Sequence, residues 1–245
     1  MVVTKLGPSS WRDALDGATA GVLAPHGYAL KPRESLGQPD LDRIFLERCR
    51  EAFAKLNRTV GQGVIAVVSP HRSEGRSSVA AGLALSLVQD LERQVLLVDL
   101  DLRRPSQGVL FDVNDSPGMV EYLENDAPLR LTAGGMSRRL WLLTAGATTG
   151  DHVARMAHLV AHSEFFAACR QSFGWTVVDL PPLLETSEAS YLAGLADACV
   201  LVGRNRRSSI HALSRAVALI PNDRPTGFVL TGNQSRVPAW INRLI

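Results

Sequence analysis

The stretch VIAVVSPHRSEGRSSVAAGLALSL, residues 64–87, decides the fold. Residues 64–68 are apolar and mostly β-branched, which suits a strand buried on both faces. From Ser77 onward the chain turns to Ala, Leu and Val with no proline, and a helix is expected over residues 77–91. Between them, Ser69-Pro70-His71-Arg72-Ser73-Glu74-Gly75-Arg76-Ser77-Ser78 form a polar strand-to-helix loop. Such a loop binds an anion by curling backbone N–H groups round it at the helix start. In a phosphate loop glycine permits close approach, a lysine neutralises the β- and γ-phosphates, and a hydroxyl meets magnesium. Gly75, Ser77 and Ser78 suit these roles, and Glu74 lies among them. Arg76 stands in the lysine's place, and Ser73 where an earlier glycine is usual. Taken alone, the loop also reads as an ordinary polar turn.

Working outward, apolar runs recur at 64–68, 95–98, 141–143, 175–178, 199–202 and 227–230. Helical stretches fall between most of them, at 77–91, 151–172, 187–195 and 208–220. Short, nearly continuous apolar strands alternating with helices predict an α/β fold: a doubly wound, mostly parallel sheet with helices on both faces. Before the first strand, Leu41, Ile44, Phe45, Cys49, Ala52, Phe53 and Leu56 recur at three and four, predicting an amphipathic helix from about Asp40 to Arg58. Residues 1–36 show no sustained period and read as an irregular arm, leaving residues 37–245 as a single domain.

The chain has 245 residues, 46% of them hydrophobic, and a formal net charge of +2. That is enough apolar material for a sizeable core, and the charge demands no nucleic-acid partner. Lys5, Lys31 and Lys55 are the only lysines among the 26 basic residues. Cys49, Cys169 and Cys199 lie far apart without ligand spacing and read as small buried apolar residues in a reducing compartment. His158 and His162, four apart, give either a metal pair or a plain helix face. No secretory signal and no apolar run of about 18 residues is present, so no membrane span is expected.

In doubly wound sheets ligands bind beyond the carboxyl ends of the strands. The second run leads into Asp99-Leu100-Asp101-Leu102-Arg103-Arg104-Pro105. Two carboxylates spaced by one residue at a strand end can share a magnesium ion or its waters, and either could take a proton from an attacking hydroxyl. The run WTVV leads into Asp179-Leu180-Pro181-Pro182, an aspartate closing an apolar strand as a magnesium ligand does in nucleotide-hydrolysing folds. Ser77, Asp99, Asp101 and Asp179 are thus the candidate metal ligands.

At these residues the sequence resembles the cytoplasmic tyrosine-kinase domains of bacterial capsule and exopolysaccharide systems, within the deviant P-loop class that includes partition and division-site ATPases. The family's loop, roughly S-x-x-P-G-E-G-K-S-T, overlies Ser69 to Ser78 with Glu74, Gly75 and Ser77 retained. Its aspartate pair followed by R-R-P is Asp99, Asp101, Arg103, Arg104 and Pro105, and its D-x-P-P is Asp179, Pro181 and Pro182. The resemblance implies ATP or ADP and Mg2+ as ligands, with Ser73 to Ser78 and Arg204 contacting nucleotide and Arg76, Asp99 and Asp101 at the catalytic centre. Arg206 and Arg207 read as solvated loop. It further implies ring-like homo-oligomers and a membrane-embedded polysaccharide chain-length regulator; with no spanning segment here, that regulator would be a separate partner chain or a removed part, and the location cytoplasmic, peripheral to the inner membrane through that partner.

The departures are equally specific. The family's lysine is Arg76, and its loop glycine is Ser73. Its tyrosine-rich tail is missing: only Tyr28, Tyr122 and Tyr191 occur, and the terminal VPAWINRLI, residues 237–245, has none. The subunit-contact motif E-x-x-R-x-x-R is broken, since Glu51 is followed at those spacings by Ala54 and Asn57. The expectation is a kinase-like nucleotide-binding scaffold with weak or lost catalysis. An active tyrosine autokinase is the alternative. A partition-type ATPase switch is a third reading, although its signature lysine would fall at His71.

Overall fold

The computed structural model describes residues 11–20, 37, 39, 41–90, 93–113, 117–124, 129–133, 139–147 and 153–232. Asp40, Tyr28, residues 151–152 and the segment 237–245, all invoked above, lie outside them.

Seven strands form one sheet in the order β3-β4-β2-β5-β1-β6-β7. They are β1 (Gly63–Val68), β2 (Val95–Asp99), β3 (Thr132–Ala133), β4 (Leu140–Leu143), β5 (Trp175–Asp179), β6 (Ala198–Arg204) and β7 (Thr226–Thr231). Every pairing is parallel except β3 with β4. The apolar runs therefore became the parallel strands, and the two-residue β3 was too short to register as a run.

Side chains alternate between the two faces of the sheet. Ile65, Val67, Leu97, Val177, Val200 and Val202 pack toward α2 (Arg43–Val60) and α3 (Arg76–Asp90). Val64, Ala66, Val68, Leu96, Val98, Val178 and Leu201 pack on the other face. There the cover comes from α5 (Met119–Glu124), α6 (Val153–His162), α7 (Phe165–Ser172), α8 (Ser187–Leu195) and α9 (Ile210–Ala218). The short α4 (Gln107–Leu110) follows β2. Asp42 caps α2, its carboxylate accepting from the Ile44 amide at 2.7 Å. The three cysteines are buried and free, and burial raises each thiol to about 12.

Two expectations are corrected. The stretch 151–172 is not one helix: α6 ends at His162, and Ser163 Oγ accepts from the Phe165 amide at 3.2 Å to start α7. Within the arm, residues Trp11–Ala20 form a helix, α1, whose Leu15 is fully buried. The Trp11 ring lies 4.6 Å from that of Tyr122 and 4.9 Å from that of Phe165. With one buried side chain and an internal Gly17, α1 carried too little periodicity to read.

Candidate functional site

Asp99 and Asp179 close β2 and β5, and these strands are neighbours in register, so the two aspartates lie side by side. β1, the next strand, releases the loop 69–75 at the same end of the sheet and feeds α3, whose first residue is Arg76. Three segments distant in sequence thus converge, as the strand-end argument requires.

What they build is a buried ion cluster. The Arg76 guanidinium donates from Nε to Asp179 Oδ1 at 2.8 Å and from Nη2 to Asp101 Oδ2 at 2.6 Å. Nη1 reaches Ser69 Oγ at 3.3 Å. Side-chain exposure is 8% for Arg76, 7% for Asp101 and zero for Asp179, so both pairs are cut off from water. A planar fork can serve two carboxylates from separate nitrogens, which a lysine ammonium on a flexible stem does with less fixed geometry. Burial opposes the charge on Arg76, but the facing Asp179 and Asp101 outweigh it and raise its pKa.

Asp99 sits behind this pair. Its Oδ2 accepts from the amides of Ser106 and Gln107 at 2.8 and 2.9 Å, and its Oδ1 from the Asp101 amide at 3.1 Å. Burial, with repulsion from Asp179, still pushes its carboxyl well above the usual range. Burial likewise raises Asp101, against the pull of Arg76. Gln107, at the start of α4, ties the cluster together: its Nε2 donates to Asp179 Oδ2 at 2.8 Å and to the Ser77 carbonyl at 3.0 Å. Sequence reading missed Gln107 because nothing in Pro105-Ser106-Gln107 announces that the chain turns back over β5.

The loop is held from its other side by the ends of β6 and β7. Glu74, 1% exposed, accepts from the His71 amide at 2.8 Å and from the Ser208 hydroxyl. Thr231 Oγ1 donates to the Glu74 carbonyl. Arg204 Nη1 donates to the Ser73 carbonyl at 2.9 Å, so Arg204 meets the loop backbone. Gly75 has φ +88, a conformation that favours glycine, and a Cβ there would lie a tight 3.2 Å from the Thr231 side chain. Ser77 and Ser78 lie in the first turn of α3, half-buried.

Ser73 has φ 61, a left-handed conformation that costs an L-residue free energy. Its side chain is exposed, so glycine would relieve the backbone without emptying a packed site. Ser73→Gly is expected to stabilise the protein by about 0.5–1 kcal/mol once glycine's greater freedom in the unfolded chain is deducted. Urea unfolding of the two proteins checks it, and a lowered midpoint would contradict it.

Magnesium binds oxygens at about 2.0–2.1 Å in an octahedron. Between Asp101 and Asp179 the guanidinium occupies that position, and Asp99 is engaged by three amides. In this arrangement a magnesium ion does not fit between the carboxylates. Among the described residues no group of three or more His, Cys, Asp or Glu is placed to hold a metal ion. The His158 ring packs edge-on to His162 at 3.8 Å, and His162 stacks on Tyr191 at 5.3 Å, a stack between α6 and α8.

A family model described as cellulose biosynthesis protein BcsQ matches residues 64–223, from β1 through the three strand ends to the turn before β7. The chain belongs to this BcsQ family. Tyrosine-protein kinase YwqD of Bacillus subtilis is 27% identical over 151 residues, covering 61% of this chain and 62% of YwqD. Succinoglycan biosynthesis transport protein ExoP of Rhizobium meliloti is 28% identical over 213 residues, 78% of this chain but 26% of ExoP. The chain therefore matches under two thirds of either relative. The kinase domain of the Escherichia coli tyrosine kinase ETK superposes with a TM-score of 0.71 at 21% identity, covering 79% of this chain and 78% of that one. The likeness to ETK establishes the fold: a mostly parallel, seven-stranded sheet with helices on both faces. Among the described residues no helix is long and apolar enough to cross a membrane.

Proposed function

We propose that the protein is a tyrosine-kinase-like P-loop subunit that regulates polymerisation and export of an exopolysaccharide or capsule, with phosphoryl transfer weak or lost. The system is suggested by relatives named as a tyrosine kinase and as a succinoglycan transport protein. The loss of catalysis rests on one observation: the Arg76 guanidinium is held by Asp101 and Asp179. Phosphoryl transfer depends on positioned charge at the phosphates, and a displacement of about 1 Å costs on the order of 100-fold. Here the loop's cation neutralises the protein's own carboxylates, so ATP or ADP would meet the backbone amides at the start of α3 with no free cation from position 76. Nucleotide is held weakly, if the α3 amides alone carry it.

The protein then acts as a scaffold on the cytoplasmic side, engaging a membrane-embedded chain-length regulator as a separate chain. The shortage of acceptors agrees with this: of the two described tyrosines, Tyr122 is buried and only Tyr191, 52% exposed, presents its ring. The test is phosphotyrosine detection after incubation with ATP and magnesium, comparing the protein with its Ser73→Gly/Arg76→Lys variant. No signal is expected from the unaltered chain, and its ATP affinity by titration calorimetry should be weak. Strong autophosphorylation by the unaltered chain would sink the proposal.

A further inference from the structure

β7 is the edge of the sheet among the described residues, and its two faces differ. Val229 packs with the α2–α3 layer, and a Cβ built on Gly227 would meet Leu56 of α2 at 3.6 Å. The opposite face carries Phe228 and Leu230, 54% and 44% exposed. Phe228 lies on the α9 side: a Cβ built on Gly203 would touch both Phe228 and Leu213 at 3.1 Å. Val217, 51% exposed, continues the Leu213 stripe along α9. The result is an apolar step at the sheet edge, with α9 as its wall and β7 as its floor. In a doubly wound sheet that place belongs to the next helix.

The chain leaves β7 at Thr231 and bends at once at Gly232, whose φ is +71. Downstream, Val237, Trp240, Ile241, Leu244 and Ile245 recur at three and four, with Asn242 and Arg243 between them and Pro238 where a first helical residue is favoured. Eight residues from Pro238 would make a helix about 12 Å long, which spans the exposed part of a strand rising about 3.3 Å per residue. Five residues, 232–236, separate β7 from this stretch in sequence. A segment tethered this closely sees the step at an effective concentration in the millimolar range, which a second copy or a separate partner does not match.

We infer that residues 237–245 dock as an amphipathic helix on the Phe228–Leu230 face of β7 beside α9, completing the outer layer of the sheet. This stands apart from the kinase-like reading, since none of its residues belongs to the Arg76 cluster. The full chain labelled with 5-fluorotryptophan gives four 19F resonances, from Trp11, Trp141, Trp175 and Trp240. The Trp240→Phe variant assigns the last. The Trp240 signal is expected to resist broadening by a soluble nitroxide at every protein concentration. In Phe228→Asp it should lose that protection, because the docking equilibrium falls at least about tenfold when a charge must be buried. Should Phe228→Asp fail to fold, a chain ending at Gly232 serves instead: amide exchange across residues 226–231 is expected to accelerate. A Trp240 signal exposed throughout overturns the inference. So does protection that appears only on raising protein concentration, which marks a second copy, or only on adding anionic lipid vesicles, which marks a membrane.

Discussion

Arg76→Ala is expected to lower the free energy of unfolding by about 3–5 kcal/mol, the range for removing one partner of a buried ion pair. The side chain is 8% exposed and the loss strands two carboxylates, Asp101 and Asp179, with no solvent to take over from the guanidinium. Arg76→Lys should lose less, because the charge survives while one of the two directed contacts is given up. Carboxylates deprived of their counter-ion take up protons more readily. The alanine variant's deficit therefore narrows as pH falls from 8 to 5. In a double-mutant cycle with Asp101→Ala the two losses should fall short of adding, with a coupling of about 0.5–3 kcal/mol. Chemical denaturation of the four proteins measures all of this. An Arg76→Ala variant as stable as the parent would mean that the cluster costs as much to desolvate as it returns, and that Arg76 is free to swing toward a ligand.

The fold was legible because the strands are buried on both faces, which makes them continuous apolar runs: 64–68, 95–98 and 175–178 all became neighbouring strands. The aspartates were legible for a related reason, since a charge directly after such a run must sit at a strand end. The behaviour of Arg76 was not legible. Sequence places it in a loop and suggests a poorly shaped substitute for a phosphate-binding lysine. That it turns to Asp101 and Asp179 depends on the β2–β5 register, which sets Asp99 beside Asp179, and on the turn after Asp99 that swings Asp101 back. Gln107 depends on the same turn. β3 and α1 were hidden by brevity: two residues in one case, a single fully buried side chain in the other.

Trp175→Ala separates the scaffold from the site. Trp175 opens β5, between Gly63 of β1 and Val95 of β2, and is 2% exposed. Its ring meets Phe53 of α2 edge-on at 5.1 Å, so it joins the central strand to the helix layer that also supports α3. Emptying that volume should cost about 3–5 kcal/mol, the usual range for a buried tryptophan. Asp179 lies four residues on, about 13 Å along the strand. The Arg76 cluster should therefore keep its geometry while the core loosens around α2. Two variants of similar destabilisation should then differ in kind. Trp175→Ala should show the same Arg76–Asp101 coupling in a double-mutant cycle as the parent, since the sites are too far apart to share partners. A coupling that vanished in the Trp175→Ala background would show that the ion cluster is held in place by core packing, with the register of β5 against β2 depending on the ring at its far end.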